Sequence, residues 1–165
     1  MAFPVMDAIG YQLSSLSLND KPSEAPYALP TILPTTVYRI LRPDENPDGI
    51  VAKNPDTQKS VLSHVNCGSR LNYASQFISS AASLEVAKYY KKKGEEKGLT
   101  GLRIGMIEVD KLPPDCQIID LTIEENRVQH LGNAVCKAYA KRSAEVLLRC
   151  SVPISCTVIP STIRR

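Results

Sequence analysis

Three polar residues lie within or at the ends of segments that otherwise read as buried β-strand. They are Arg39 in Val37-Tyr-Arg-Ile-Leu41, Ser79 in Gln76-Phe-Ile-Ser-Ser80, and Glu145 in Ser143-Ala-Glu-Val-Leu-Leu148. A charge in a mostly buried strand costs free energy unless it is paired or faces a cleft. The types suggest chemistry: a guanidinium fork fits phosphate oxygens, a hydroxyl can orient a neighbour, and a carboxylate stabilises developing positive charge. The plainer alternative is a structural Arg39–Glu145 ion pair, or two edge-strand charges facing water. Other combinations carry less. Ser60, His64 and Asp56 are close in sequence, but no nucleophile-elbow pattern surrounds the serine. His64 and Cys67 lack zinc-site spacing, so no metal is expected. Glycine-rich phosphate loops are absent.

The elements that must position these residues follow from turn signals and periodicity. Thr36–Leu41 is a β-favouring run ended by the turn-dense segment Arg42–Gly49. Thr57–Val65 reads as a short helix closed by Asn66-Cys-Gly68, and Ala74–Ser79 as a short strand. Ser83 is an N-cap for a helix from Leu84 to about Lys93, with Lys91–Gly98 its solvated end and loop. Leu102–Val109 and Ile118–Leu121 read as strands separated by Pro113-Pro114. Thr122 and Glu125 have capping-box spacing, and the helix they would open places Val128, Leu131, Val135 and Ala138 on one face. Glu145–Leu148 and Ile154–Ile159 read as closing strands joined through Val152-Pro153. This order resolves poorly into βαβ units, which predicts an α+β fold with small mixed or antiparallel sheets packed with short helices.

Composition sets the frame. The chain has 165 residues, 43% hydrophobic and 22% charged, which is one ordinary globular domain. With seven Tyr, two Phe and no Trp, the core must come from Val, Ile, Leu and Ala. A net charge of +3 is too weak to argue a nucleic-acid or membrane surface. No apolar run approaches the roughly 18–20 residues that span a bilayer, so no membrane is expected. Five of the twelve prolines fall in residues 1–34, read as a Pro/Ser-rich tail, extended or partly mobile, with room for a short helix at 5–17. The domain is then 35–160, followed by a C-terminal tail at 161–165. The first residues lack a basic region and Asp7 interrupts their apolar stretch, so no signal peptide is expected. The five scattered cysteines, without a Cys-x-x-Cys, predict free thiols in a reducing compartment. Both point to the cytoplasm, although a protein exported by a non-classical route would look the same.

Arg39 on a first strand, Ser75-Gln-Phe-Ile-Ser-Ser-Ala-Ala-Ser-Leu-Glu-Val-Ala87 on a strand and helix, and Glu145-Val-Leu-Leu148 on a late strand resemble the arginine–serine–glutamate signature of the ADP-ribosyltransferase superfamily. The resemblance spans about residues 35–160 and implies an ADP-ribosyltransferase-like fold. It departs from the family at two places. The serine motif reads Ser79-Ser80-Ala81 where Ser-Thr-Ser is usual, and Ser143 stands where enzymes that modify arginine carry Glu or Gln. The implied function is a mono-ADP-ribosyltransferase that cleaves the nicotinamide N-glycosidic bond of NAD. ADP-ribose would pass to an unknown acceptor, whether protein, nucleic acid or water. NAD would be a co-substrate. In that scheme Glu145 stabilises the oxocarbenium-like state, Ser79 positions Glu145 or the ribose, and Arg39 holds the pyrophosphate or adenosine ribose. The nicotinamide carboxamide would be read by strand backbone groups beside Gln76 or Tyr38, Arg70 would contact phosphate, and Tyr89 or Tyr90 would stack on the ring. Tyr139 and Ser143 would meet the acceptor, and Lys141 and Arg142 are either ordinary exposed basic residues or would favour an acidic or nucleic-acid acceptor. The alternative is a non-catalytic module of the same fold that binds NAD, ADP-ribose or a protein partner.

Overall fold

The computed structural model describes residues 33–45, 49–68 and 72–158. Most of the expected N-terminal tail, Arg70 and the C-terminal tail lie outside the described residues. The described part is α+β. Six strands form one sheet: β1 (Thr36–Leu41), β2 (Ile78–Ala81), β3 (Arg103–Glu108), β4 (Gln117–Asp120), β5 (Glu145–Arg149) and β6 (Thr157–Val158). Their spatial order is β4-β5-β2-β1-β3-β6, and every neighbouring pair is antiparallel. The expectation of several small sheets, in part mixed, is corrected to a single antiparallel one. Strands β2, β3 and β4 run one way and β1, β5 and β6 the other, and the two sets alternate across the sheet, so no parallel pair forms.

Period-two alternation divides the core between the sheet's two faces. On one face, Val37, Leu41, Ile78, Ile107, Val146 and Leu148 pack with Ile50, Ala52, Val152 and Cys156 from the loops beneath. On the other, Ile119 and Leu147 pack with residues of two helices and of the loops between elements, including Val61, Leu131, Cys136 and Ala140. The helices among the described residues are α1 (Val61–Cys67), α2 (Leu84–Glu96), α3 (Glu124–His130) and α4 (Ala134–Arg142). Ser60, Ser83 and Asn133 cap α1, α2 and α4, each side chain accepting a first-turn backbone N–H. Helix α2 runs through most of the lysine-rich segment expected to be its solvated end and loop, as far as Glu96. Lys88–Glu85, Lys91–Glu95 and Lys93–Glu96 pairs three or four residues apart support that extension.

Four expectations shift. The strand expected at Ala74–Ser79 begins at Ile78, because Ser75 and Gln76 are consumed by loop contacts. Thr122 does not cap a helix; its N–H and hydroxyl both bond to Asp120 Oδ1, and α3 starts without a side-chain cap. The single amphipathic helix across Val128 to Ala138 is two helices. Leu131 is fully buried at the joint, while Val128 and Val135 are 58% and 61% exposed. Finally, Cys116 and Cys150 form a disulfide, with Cα atoms 4.9 Å apart. They flank the last register pair of β4 and β5, Gln117↔Arg149, and so face each other across the ladder. Cys67, Cys136 and Cys156 are free thiols. No helix among the described residues is long and apolar enough to cross a membrane.

Candidate functional site

Strand β5 is the sheet's most buried, and Glu145 is its first residue, only 7% exposed. The chain reaches it through an unusual turn. Helix α4 ends at Ser143, and Ala144 takes a positive φ of 46° before the strand begins. Glycine is the usual residue at such a helix end, because a Cβ is strained there. Ala144→Gly is therefore expected to stabilise the protein by about 1 kcal/mol in a urea titration. A loss of stability would mean that the buried methyl group outweighs the relieved strain.

Ser79 is opposite Leu147 in the β2–β5 ladder, and Ala81 is opposite Glu145. Ser79 and Glu145 are thus diagonal neighbours on one face, close enough for long side chains to meet. The Ser79 hydroxyl donates to Glu145 Oε1 at 3.3 Å. His64, projecting from α1 onto the same face and 5% exposed, extends the chain: its Nε2 lies 2.8 Å from Ser79 Oγ and its Nδ1 lies 2.6 Å from Ser75 Oγ. Burial, then the charges of Arg39 and Lys53, hold the imidazole down to about 4, so it is neutral at pH 7. With Ser79 donating to Glu145, it accepts from the Nε2–H, and the bare Nδ1 accepts from Ser75. Ser75 in turn accepts the N–H of Phe77 at 3.4 Å. Close approach of Gly68 is part of this arrangement, since a Cβ there would sit 2.5 Å from the His64 carbonyl oxygen.

Burial raises the Glu145 carboxyl to about 7 against a smaller downward pull from the Ser79 and Ser143 hydroxyls. Its second oxygen, Oε2, is buried and has no hydrogen-bond partner. A buried acceptor without a donor is costly, and Glu145 is not among the residues that line the cleft between β1 and β2. Tyr90 and Tyr139 are close enough to Glu145 to feel its charge. Burial, then that charge, raises the Tyr139 phenol well above its usual value. Burial also raises the Tyr90 phenol, with Arg142 opposing. The Arg142 guanidinium stacks over the Tyr139 ring at 5.8 Å. Tyr90 Oη and Arg142 Nε are both buried without a hydrogen-bond partner.

Arg39 reaches the same region from β1. Strands β1 and β3 pair at six positions, but β1 and β2 pair at Tyr38↔Ala81 alone. Beyond that pair the two strands diverge, and Arg39 Nη1 donates to the free carbonyl of Ser79 at 2.8 Å. Its Nη2 meets Glu45 Oε1 at 2.5 Å, while its Nε is buried without a partner. The divergence opens into a cleft lined by Arg39, Arg42, Glu45, Lys53, His64 and Ser79, with apolar walls that include Val51 and Phe77.

The three expected principal residues therefore converge: Arg39 and Ser79 on the cleft, Glu145 directly behind Ser79. The structural alternative of an Arg39–Glu145 ion pair is not what forms, since Arg39 pairs with Glu45. Gln76 is not at the cleft surface. Its amide accepts from Lys59 N–H and donates to Lys59 O, clamping the segment that leads into α1. Tyr38 lies half-buried on β1 between Ala81 and Met106 and does not line the cleft. Tyr90, Tyr139 and Ser143 do not line the cleft; Ser143 donates to the helix carbonyls of Tyr139 and Ala140. Ser75 and Glu45 carry no signal in the sequence, and His64 has different partners from those its neighbours there suggest. Ser60 and Asp56 stand near His64 in sequence, but Ser60 is the α1 cap and the imidazole's partners come eleven and fifteen residues later. No cluster of three metal-binding side chains occurs among the described residues. Comparisons with family models, with curated proteins and with solved structures find no match to this chain.

Proposed function

We propose that the chain binds NAD in the cleft between β1 and β2, breaks the bond between nicotinamide and ribose, and passes ADP-ribose to an acceptor or to water. The observation that carries this reading is the Ser79 hydroxyl held on Glu145 beside the Arg39 guanidinium. Nicotinamide is a pyridinium in NAD, so when the bond to C1′ breaks it leaves neutral with the electron pair. The ribose carbon is left electron-poor, an acceptor lone pair closes on it, and the acceptor gives up its proton to solvent. Arg39 would seat the diphosphate, Ser79 would meet the ribose, and ionised Glu145 behind Ser79 would stabilise the developing positive charge. His64 and Ser75 act through Ser79, fixing the direction of its proton. Ser143 in place of Glu or Gln argues against an arginine acceptor. Because the carboxylate form is needed, nicotinamide release should rise with pH through about 7.

The test is release of nicotinamide from NAD by the purified chain, wild type beside Ser79→Ala. Release that falls at least tenfold in the variant supports the reading. A second reading has its own support: Glu145 is buried behind Ser79 and does not line the cleft. Such a domain would bind NAD or ADP-ribose without turnover, giving a melting shift with NAD and no nicotinamide. Absence of both would remove NAD as the ligand.

A further inference from the structure

We propose that Glu45 sets the anion affinity of the cleft: its carboxylate holds the position on Arg39 that a ligand phosphate takes, and binding turns it aside. This rests on the reading of Arg39 as the phosphate-binding residue. Four features of the cleft carry it. Glu45 Oε1 meets Arg39 Nη2 at 2.5 Å, and both side chains are largely withdrawn from water, at 15% and 18% exposure. The charged residues lining the cleft are Arg39, Arg42 and Lys53 against Glu45, with His64 neutral, and Asp44 lies 3.6 Å from Arg42 Nε, so cationic side chains outnumber anionic ones there by three to two. That surplus favours a ligand carrying two negative charges over the single carboxylate. Arg39 Nε is buried without a partner, so the guanidinium has a further donor for a second oxygen.

Glu45 can release Arg39 without becoming a stranded charge. Its Oε2 already accepts the Arg42 N–H at 2.9 Å and lies 3.8 Å from Arg42 Nε. Its backbone is fixed as well, the carbonyl accepting from Arg103 Nη2 at 2.9 Å and the N–H bonding to Arg42 O. Displacement therefore needs only a side-chain rotation toward Arg42. The ligand class this selects is a diphosphate, and a lone carboxylate should compete poorly.

The experiment is calorimetric titration of inorganic pyrophosphate into wild type, Glu45→Gln and Arg39→Gln. Glutamine keeps the size and can still accept from Arg39, but it removes the competing charge. Glu45→Gln is expected to bind pyrophosphate about tenfold more tightly than wild type, and Arg39→Gln to lose binding. Glu45→Asp retracts the carboxylate by one methylene and should fall between wild type and Glu45→Gln, which guards against a folding defect in the latter. Weaker binding in both Glu45 variants would overturn the proposal and make Glu45 a brace for Arg39. Unchanged or absent binding would overturn it too. Tighter pyrophosphate binding without any nicotinamide release would leave this inference standing and remove only the NAD reading; release from NAD without the gain in Glu45→Gln would do the reverse.

Discussion

Glu145→Gln is expected to lower nicotinamide release by about a hundredfold or more while making the protein harder to unfold at pH 8. The first effect follows from removing the charge aimed at the developing cation, since a single preorganised electrostatic contact commonly carries a factor of about 100–1000. The second follows from linkage. Burial holds the Glu145 carboxyl at about 7 against 4.5, so the folded chain keeps a proton that the unfolded chain gives up between those values. Stability from this group therefore falls as pH rises through that window, by about 3 kcal/mol in all. A neutral glutamine avoids the cost but accepts the Ser79 bond less well, leaving a gain of about 2 kcal/mol at pH 8. His64 runs the opposite way. Burial, then Arg39 and Lys53, hold it at about 4 against 6.5, so its contribution is full above 6.5 and lost as pH falls toward 4. The two oppose each other between about pH 4.5 and 6.5, so together they leave the wild-type profile nearly flat there. Urea unfolding at pH 5 and pH 8 checks this: the gain in Glu145→Gln should be present at pH 8 and gone near pH 5. A variant destabilised at both would show Glu145 to be a structural residue.

Replacing both Cys116 and Cys150 by serine should cost about 4 kcal/mol, the loop-closure entropy expected for a crosslink across 34 positions. The bond joins the start of β4 to the end of β5, and β5 begins with Glu145, so loss of the crosslink loosens the strand that carries the acid. A lower urea midpoint in the double variant, matched by wild type in reductant, is the expected result. Equal midpoints for variant and oxidised wild type would mean the bond adds nothing. The disulfide also removes the premise on which a reducing compartment was inferred, because only three of the five cysteines are free.

The strands of this fold were legible wherever apolar runs were bounded by strong turn signals. Thr36–Leu41, Arg103–Glu108 and Glu145–Arg149 appear within a residue or two of where alternation and Gly or Pro punctuation place them. Caps were legible when the serine stood alone, as Ser83 does, and misleading when a competing acceptor sat nearby. Asp120 takes the Thr122 hydroxyl, which no spacing rule reveals. The helix expected across Leu131 failed because period-three-and-four spacing cannot tell one long helix from two short ones joined at a buried leucine. Within the site, Arg39, Ser79 and Glu145 were legible because each is polar in apolar surroundings. His64 and Ser75 were not, because both lie outside strands, and their meeting with Ser79 depends on how α1 lands on the sheet. Glu45 hid in a turn where acidic residues are ordinary. Cys116 and Cys150 pair only once the β4–β5 register is known.

The single register pair between β1 and β2 has a mechanical meaning. Each side of that seam is a fully laddered triplet, β4-β5-β2 and β1-β3-β6, whereas the seam is stitched by one pair, by Arg39 on the Ser79 carbonyl, and by α2, which packs across β1, β2 and β3. The two triplets can breathe against each other without breaking any ladder inside either of them. Compliance is thus concentrated where a ligand would enter, while Glu145, in the middle of its own triplet, keeps a stiff mount. Amide exchange should draw the same line: fast along the facing edges of β1 and β2, slow through β5.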